Sequence, residues 1–364
     1  MSRFRVPFGS PAPREDAVAV RAAIERVVSS GWYVLGPEVA AFETEFAAAC
    51  GAGHAVGVGT GTDAIALILR ALGIGPGDEV ITTPVSAAYT ALAVMMAGAR
   101  PVFADIDPER LTLDPAAAER AVTPRTRAIL PVHLYGQAAE MDALQRVATR
   151  HGLALVEDAC QAHLATAGGR PVGTIGVAGA FSFYPTKNLG ALGDGGAIVT
   201  GDGELAARLR RLRNGGQTDR YHHLEPGLNS RLDEMQAAIL RARLPYLRSW
   251  TDQRRRIAAA YRTSLAGARI NVLREFDAGH VYHLFVVRTP QRAVLQQHLA
   301  ADGIETLVHY PVPIPRQPAL ASQDPADCPE AARACEEVLS LPLHPGLTDQ
   351  DVAAIAASVH ACEV

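Results

Sequence analysis

Lysine is nearly absent from this chain of 364 residues, because 33 of its 34 basic residues are arginine and the only lysine is Lys187. A GC-rich coding bias turns surface lysines into arginine, since either cation serves on a solvated face. Such a bias does not explain why one lysine remains. A lysine amine can lose its proton and attack a carbonyl carbon, whereas a guanidinium stays protonated. From composition alone, survival by chance and retention for chemistry both stay open.

Other features that mark particular classes of protein are also missing. The five cysteines are odd in number, widely spaced and without a C-x-x-C pair, which argues against a disulfide framework or a zinc ribbon. The longest apolar stretch, Ala87–Ala99, is too short to span a bilayer, and the first residues contain no apolar segment of a signal peptide. The net charge of −4 offers no basic excess for nucleic acid. We therefore expect a soluble cytoplasmic protein without nucleic-acid or membrane partners.

Short apolar runs alternate with amphipathic stretches between about residues 31 and 200. The predicted strands are 79–82, 101–105, 128–132, 154–157, 180–183 and 196–200. The predicted helices are 62–72, 87–98, 115–122 and 141–151. Alternating apolar strands and helices indicate an α/β fold, with a mostly parallel sheet covered by helices on both faces.

The pattern changes after about residue 214. A long helical region over 232–265 is broken or kinked by Pro245. The remaining predicted elements are a strand over 281–288, a helix over 292–302, a proline-rich loop over 311–318 and two closing helices. We predict a large domain over residues 1–245, which includes an N-terminal helical arm, and a smaller C-terminal domain over 246–364.

Glycines precede a predicted helix in the segment Gly57–Asp63, with the sequence GVGTGTD. Glycines let the backbone approach a ligand, and the helix that follows presents free N–H groups and the positive end of its dipole. The segment is therefore a candidate phosphate cradle. Its glycine spacing matches neither the P-loop nor the dinucleotide fingerprint, and a glycine-rich turn with a threonine N-cap is the other interpretation.

Two further polar residues follow predicted strands. Asp158 closes one strand, and Lys187 lies in the sequence FSFYPTKN, in a turn between two buried strands. Burial would lower the pKa of Lys187 and favour its neutral, nucleophilic form. A metal site of Glu157, Asp158 and His163 is not expected, because no second cluster of ligands lies nearby in the sequence. A helix-capping role is the other interpretation of Asp158.

One cofactor fits these three features together. Pyridoxal phosphate requires a lysine for a Schiff base, an acid that faces its pyridine nitrogen and a cradle for its phosphate. Lys187 would form the Schiff base and shuttle a proton, and Asp158 would keep the pyridine nitrogen protonated. The turn Thr60–Thr62 and Ser182 would hold the phosphate.

The chain resembles the DegT/StrS family of sugar aminotransferases, within the fold-type-I aminotransferase superfamily. The resemblance covers about residues 30–315. The motifs that carry it include GTGTDAIAL, GDEVITTP, PVFADID, HGLALVEDACQAH, LRNGG, NSRLDEMQAAIL, YHLFVVR and TLVHYPVPI. The most specific is FSFYPTKNLGALGDGGAIVT.

The resemblance implies a large domain with a mostly parallel sheet, a smaller C-terminal α/β domain and a homodimer with shared active sites. It implies that Lys187 and Asp158 are catalytic. The cofactor would be bound by Thr60, Gly61, Thr62, Asp158, Gln161, Ser182, Lys187 and, across the dimer, Asn229. The nucleotide sugar would contact His163, Tyr184, Arg220, His309 and Tyr310. A structural turn beside Pro311 is the other interpretation of His309 and Tyr310.

One position departs from the family pattern. An aromatic residue that stacks on the cofactor ring usually follows the second strand, and an ungapped alignment places Ala87 there. Tyr89 is the nearest aromatic residue. Two steps along a helix point to another side, so we do not expect Tyr89 to replace the missing ring.

The implied activity is the pyridoxal-phosphate-dependent transfer of an amino group from L-glutamate to a nucleotide-linked keto-deoxysugar. The segments TLVHYPVPI and RNGGQTDRYHH resemble the members that act at C3 of a dTDP-3-keto-6-deoxyhexose. Amination of a 4-keto sugar and a regulatory protein that binds the cofactor without turnover are the alternatives. Dehydration of the sugar is disfavoured, since relatives that dehydrate carry histidine in place of the lysine.

Overall fold

A seven-stranded sheet forms the centre of the computed structural model, which describes residues 4–9, 14–320 and 327–362. In chain order the strands are β1 His54–Val58, β2 Glu79–Thr82, β3 Arg100–Phe103, β4 Thr126–Leu130, β5 Ala154–Asp158, β6 Thr166–Ala167, β7 Arg170–Pro171, β8 Ala178–Ser182, β9 Gly196–Thr200, β10 Gln217–Asp219, β11 His222–His223, β12 Asn271–Val272, β13 Phe285–Arg288 and β14 Val338–Leu341. The central sheet has the order β1-β9-β8-β5-β4-β2-β3.

Six strands of this sheet run in one direction, and β9 runs antiparallel to both of its neighbours, β1 and β8. The predicted α/β fold with a mostly parallel sheet is therefore confirmed. All six strands predicted before residue 214 are present within two residues of their expected bounds. The sheet has one more strand, β1, which the prediction missed because its small residues run into the glycine-rich turn that follows.

Helices cover both faces of the sheet. In chain order, the helices of the described ranges are α1 Ala17–Ser30, α2 Pro37–Cys50, α3 Gly61–Ala71, α4 Tyr89–Met96, α5 Pro115–Arg120, α6 Met141–His151, α7 Gly203–Leu212, α8 Glu234–Arg243, α9 Leu247–Ser264, α10 Arg292–Ala301, α11 Pro329–Glu337 and α12 Asp349–Ala361. On one face, α3, α4 and α7 pack over Val56, Val80 and Ile198. On the other, α2 and α8 pack over Phe181 and Val199, and α5 and α6 over Ile129. None of the helices in the described ranges is long and apolar enough to cross a bilayer.

The long helical region divides where its proline predicts. α8 ends at Arg243, a 3-10 turn spans Leu244–Tyr246, and α9 continues from Leu247. Beyond it, the antiparallel sheet β12-β13-β14 packs against α9, α10 and α12 around Tyr261 and Phe285. The division into two domains near residue 245 stays a prediction.

The predicted strand over 281–288 is only half formed, since β13 begins at Phe285. Residues 281–284 instead pair with the loop after β4. The Val281 N–H donates to the carbonyl of Gly136, and the Leu284 N–H donates to that of Tyr135. This connection brings a segment of the C-terminal half to the edge of the large sheet.

The buried carboxylate of Glu157 holds the end of β5. Its oxygens accept hydrogen bonds of 2.7 Å from the N–H groups of Gly173, Ile175 and Gly176. They also accept one of 3.0 Å from Nε2 of His133, which is the donor nitrogen because Nδ1 accepts from the N–H of Ala139. Both oxygens of this fully buried side chain therefore act as hydrogen-bond acceptors.

Replacing this carboxylate by an amide tests its role in stability. In Glu157→Gln one acceptor oxygen becomes an NH2 group that faces N–H donors, so we expect the free energy of unfolding to fall by about 2–4 kcal/mol. Urea denaturation followed by circular dichroism measures the change. The exposed Glu204→Gln should change it by less than about 0.5 kcal/mol. Equal stabilities for the two variants would contradict this role.

Candidate active site

A cavity of about 610 Å³ opens at the carboxyl edge of the central sheet. β1, β2, β5 and β8 end at this edge, and the reversed strand β9 begins there. In an open α/β sheet, this edge is where ligands bind. The predicted site residues that line the cavity are Thr60, Gly61, Thr62, Asp158, Gln161, Ser182, Tyr184, Lys187, His309 and Tyr310.

The first turn of α3 forms the candidate phosphate cradle. The Thr60 side chain caps the helix by accepting a 3.0 Å hydrogen bond from the N–H of Asp63. A Cβ atom at Gly61 would lie 2.7 Å from Sγ of Cys160 and 2.8 Å from Cβ of Ser182, so only glycine fits there. Because residues 60–62 line the cavity, the backbone N–H groups and the positive end of α3 are placed to bind an anion there.

The Asp158 carboxylate lies at the end of β5 and is 4% exposed. Its Oδ2 accepts a 2.8 Å hydrogen bond from the hydroxyl of Thr90, and its Oδ1 accepts one of 3.1 Å from the N–H of Cys160. An ionised carboxylate has about four acceptor sites. Lone pairs therefore remain for a protonated group in the cavity.

Lys187 enters the cavity from a turn after β8, in which its N–H donates to the Tyr184 carbonyl at 2.8 Å. Burial lowers the pKa of its amine, while the nearby Cys160 and Asp158 oppose this shift. The net effect on the amine is a lowered pKa, as the sequence predicts. Cys160 is not a competing nucleophile, because burial and the charge of Asp158 raise the pKa of its thiol well above its usual range.

Gln161 is fixed by hydrogen bonds at both ends of its amide. Its Oε1 accepts from the N–H of Tyr135 at 2.8 Å, and its Nε2 donates to the hydroxyl of Tyr310 at 3.0 Å. The Tyr135 hydroxyl in turn donates to the carbonyl of His309. Burial raises the pKa of Tyr310 to about 12, so its hydroxyl remains a neutral hydrogen-bonding group.

Sequence reasoning missed several cavity-lining residues, of which His283 and Thr90 matter most. His283 reaches the cavity through the connection at residues 281–284 and lies within 3.3 Å of the Asn188 amide oxygen. Burial and the charge of Lys187 hold the pKa of His283 well below its usual value, and they lower that of His309 to about 4. Both imidazoles are therefore neutral near pH 7. Neither His283 nor Thr90 belongs to a recognisable local pattern for a site.

Three predicted residues lie outside the cavity lining. His163 is fully buried between the rings of Phe181 and Phe183, where its Nε2 donates to the carbonyl of Ser182 at 2.9 Å. Its predicted contact with substrate is wrong for this structure, because no solvent-accessible surface remains. Arg220 is exposed on the β10–β11 hairpin, and Asn229 is exposed beside the cradle. Their roles stay predictions.

The interpretation of Ala87 and Tyr89 needs correction. Both residues line the cavity, and Tyr89 is 65% exposed at its mouth. The expectation that Tyr89 points elsewhere assumed a helix over 87–98. α4 begins only at Tyr89, so helical spacing does not relate the two side chains. An aromatic ring is thus available at the cavity, although not from the usual position.

The residues present fit pyridoxal phosphate. The start of helix α3 at Thr60–Thr62 lines the cavity, Asp158 keeps free lone pairs, and Lys187 offers an amine of lowered pKa in the same cavity. Among the described residues, no three histidine, cysteine, aspartate or glutamate side chains gather to hold a metal ion. The fold and the cavity fit an α/β enzyme whose cofactor is held by a lysine amine.

Comparison with known proteins identifies the family. The DegT/DnrJ/EryC1/StrS aminotransferase family matches residues 15–360. A Streptomyces venezuelae protein named dTDP-3-amino-3,4,6-trideoxy-alpha-D-glucose transaminase is 53% identical over 93% of this chain and 91% of its own. The chain belongs to this aminotransferase family, as predicted.

Solved structures agree with this assignment. The S. venezuelae protein DesV, in complex with a ketimine intermediate, superposes with a TM-score of 0.95 at 51% identity over 98% of both chains. NtdA from Bacillus subtilis, with bound cofactor PMP, has a TM-score of 0.90 at 30% identity over 99% of this chain and 86% of its own. The predicted fold class, the aminotransferase class and the dependence on pyridoxal phosphate are confirmed.

The lowered pKa of Lys187 can be measured directly because the chain has one lysine. After reductive methylation with ¹³C-formaldehyde, the side-chain amine gives one NMR resonance besides that of the N-terminus. We expect its titration midpoint in the cofactor-free protein to lie below that of a free lysine. Asp158→Asn should lower the midpoint further, since it removes a negative charge that favours the ammonium form. The resonance must be absent in Lys187→Arg, and a midpoint at or above that of free lysine would contradict the effect of burial.

Proposed function

We propose that this aminotransferase transfers an amino group from L-glutamate to C3 of a dTDP-3-keto-6-deoxyhexose. The convergence of Lys187, Asp158 and the α3 cradle in one cavity carries the proposal of catalysis. The name of the 53% identical S. venezuelae relative supports the position of the new amine and the dTDP carrier.

Each of the cavity residues has a definable part in this reaction. Bound pyridoxal phosphate supplies an electron sink for the carbanion formed when a C–H bond is broken. The lowered pKa of Lys187 suits its amine to accept and return a proton at the reacting carbon. The buried Asp158 carboxylate would hold a proton on the pyridine nitrogen, and the α3 N-terminus would bind the phosphate.

Neutral hydrogen-bonding groups form part of the cavity lining, which also includes Asp194. His309 and Tyr310 line the cavity uncharged near pH 7, and the exposed Tyr184 lies at its mouth. Hydroxyl and imidazole groups of this kind suit hydrogen bonds to sugar hydroxyls without attracting a carboxylate. The cavity therefore favours an uncharged deoxysugar as the amino acceptor.

Incubation of the holoenzyme with L-glutamate and either dTDP-3-keto or dTDP-4-keto sugars tests the proposal. We expect aminosugar only from the 3-keto compounds, detected by mass spectrometry. Lys187→Arg should lower kcat by at least about 10³-fold, because guanidinium cannot accept the proton. Val294→Ala, an exposed change on α10 remote from the cavity, should leave turnover unaltered.

The acceptor panel also separates the alternatives. Product from the 4-keto sugar alone would overturn the C3 assignment. A holoprotein whose visible absorption does not change with L-glutamate would favour the regulatory alternative.

A homodimer with shared active sites is part of the proposal. Trp32, Tyr33 and Val34 are 56%, 53% and 42% exposed, which is unusual for three consecutive apolar side chains. Such a patch suits a protein–protein interface. Asn229 is exposed and does not line the cavity of its own chain, so a role in binding phosphate requires a second copy.

Mixing two inactive variants tests the sharing of sites. Lys187→Arg and Asn229→Ala are each expected to lose activity. Random hybrid dimers have one site with both native residues, so the mixture should regain about a quarter of the parental activity after subunit exchange. No regain, with hybrid formation verified by affinity tags, would contradict the sharing of sites.

A further inference from the structure

Two hydroxyl groups stand in line behind the Asp158 carboxylate. Thr90 Oγ1 lies 2.8 Å from Asp158 Oδ2, and Ser86 Oγ lies 3.3 Å from Thr90 Oγ1. All three side chains are at least 95% buried, and all three residues line the cavity. The two hydroxyl groups have no part in the function derived so far.

The direction of these hydrogen bonds follows from the number of protons. An ionised carboxylate only accepts, so the single hydroxyl proton of Thr90 is donated to Asp158. Thr90 has no second proton for Ser86. Ser86 therefore donates to Thr90, and the relay runs from Ser86 through Thr90 to Asp158.

The relay joins two elements that are far apart in the sequence. Ser86 and Thr90 flank the start of α4, whereas Asp158 ends β5. The remaining carboxylate oxygen, Oδ1, is held by the backbone N–H of Cys160. Because each oxygen is held by its own donor, the plane of the carboxylate is defined. The terminal side-chain torsion of aspartate normally has a broad distribution, and these two hydrogen bonds restrict it.

We propose that Thr90 is a positioning residue, whose hydroxyl, oriented by Ser86, holds the Asp158 carboxylate ionised and directed at the pyridine nitrogen of the cofactor. The proposal rests on the function proposed above. A hydrogen bond donated to a carboxylate favours its charged form. In metal sites, the partners that orient a ligating side chain typically contribute about tenfold to a hundredfold to affinity or activity, and we expect an effect near the lower end of this range for Thr90.

Binding of pyridoxamine phosphate provides the test, because this form of the cofactor cannot form an imine with Lys187. Isothermal titration calorimetry between pH 5 and pH 9 measures its Kd. In Thr90→Val, a methyl group replaces the hydroxyl with little change of shape, and we expect Kd to rise about tenfold or more. As the pH falls, Kd should begin to rise at a higher pH than in the parent protein, since the ionised carboxylate has lost a donor.

Two control variants isolate the hydroxyl. Thr90→Ser keeps the donor and should bind within about threefold of the parent protein. Thr82→Val removes an equally buried hydroxyl, which donates to the carbonyl of Leu130 rather than to Asp158, and should leave Kd and its pH profile unchanged. Thermal unfolding verifies that the variants are folded.

Several outcomes would overturn the proposal. The first is a Kd and a pH profile for Thr90→Val that equal those of Thr82→Val. The second is a rise in Kd for Thr90→Ser as large as the rise for Thr90→Val. If Thr90→Val does not fold, Ser86→Ala is measured instead. We expect its Kd to rise about twofold to fivefold, and an unchanged Kd would overturn the proposal. A parent protein that does not bind pyridoxamine phosphate would contradict the proposed function as well, whereas normal parental binding with unchanged variants contradicts the positioning role alone.

Discussion

The geometry of the site depends on the buried carboxylate of Glu157. Four donors converge on it, three of them from the backbone of residues 173–176, so the end of β5 is tied to the segment that leads into β8. Successive side chains of a strand point to opposite faces. With Glu157 anchored on one side, Asp158 is directed to the other, where it meets Thr90 and the cavity. One acidic residue thus supports the placement of its neighbour without touching the ligand site.

The parts of the site that sequence could predict are those that follow strands. The carboxyl ends of parallel strands meet at one edge of a sheet, so Asp158, Lys187 and the turn Thr60–Thr62 could be brought together before the structure was known. Gln161 was predicted through the family resemblance rather than from the strand pattern. His283 could not be found in this way, because it reaches the edge through backbone pairing between residues 281–284 and the loop after β4. A contact over such a distance leaves no periodic signal.

The errors have local causes. His163 is close to Asp158 in sequence, but the chain turns behind β8 and places the imidazole between two phenylalanine rings. Its apolar surroundings lower its pKa to about 3, so it is a neutral core residue. The argument about Tyr89 relied on a helix that apolar content extended to residue 87, and that helix start is wrong. The Thr83 side chain forms hydrogen bonds with the backbone of Val85 and holds a loop there, so the helix begins later than predicted.

The reversal of β9 also bears on how this scaffold can change. Because β8 ends and β9 begins at the same edge, the whole connection over residues 183–195 leaves the site and returns to it. A parallel successor would have carried the chain to the far side of the sheet and back through a helix. Insertions in this connection can therefore reshape the mouth of the cavity while the strand register stays intact. The sequence of the hairpin that carries Lys187 can in this way change during evolution and accommodate different sugars, while the position of Lys187 stays the same.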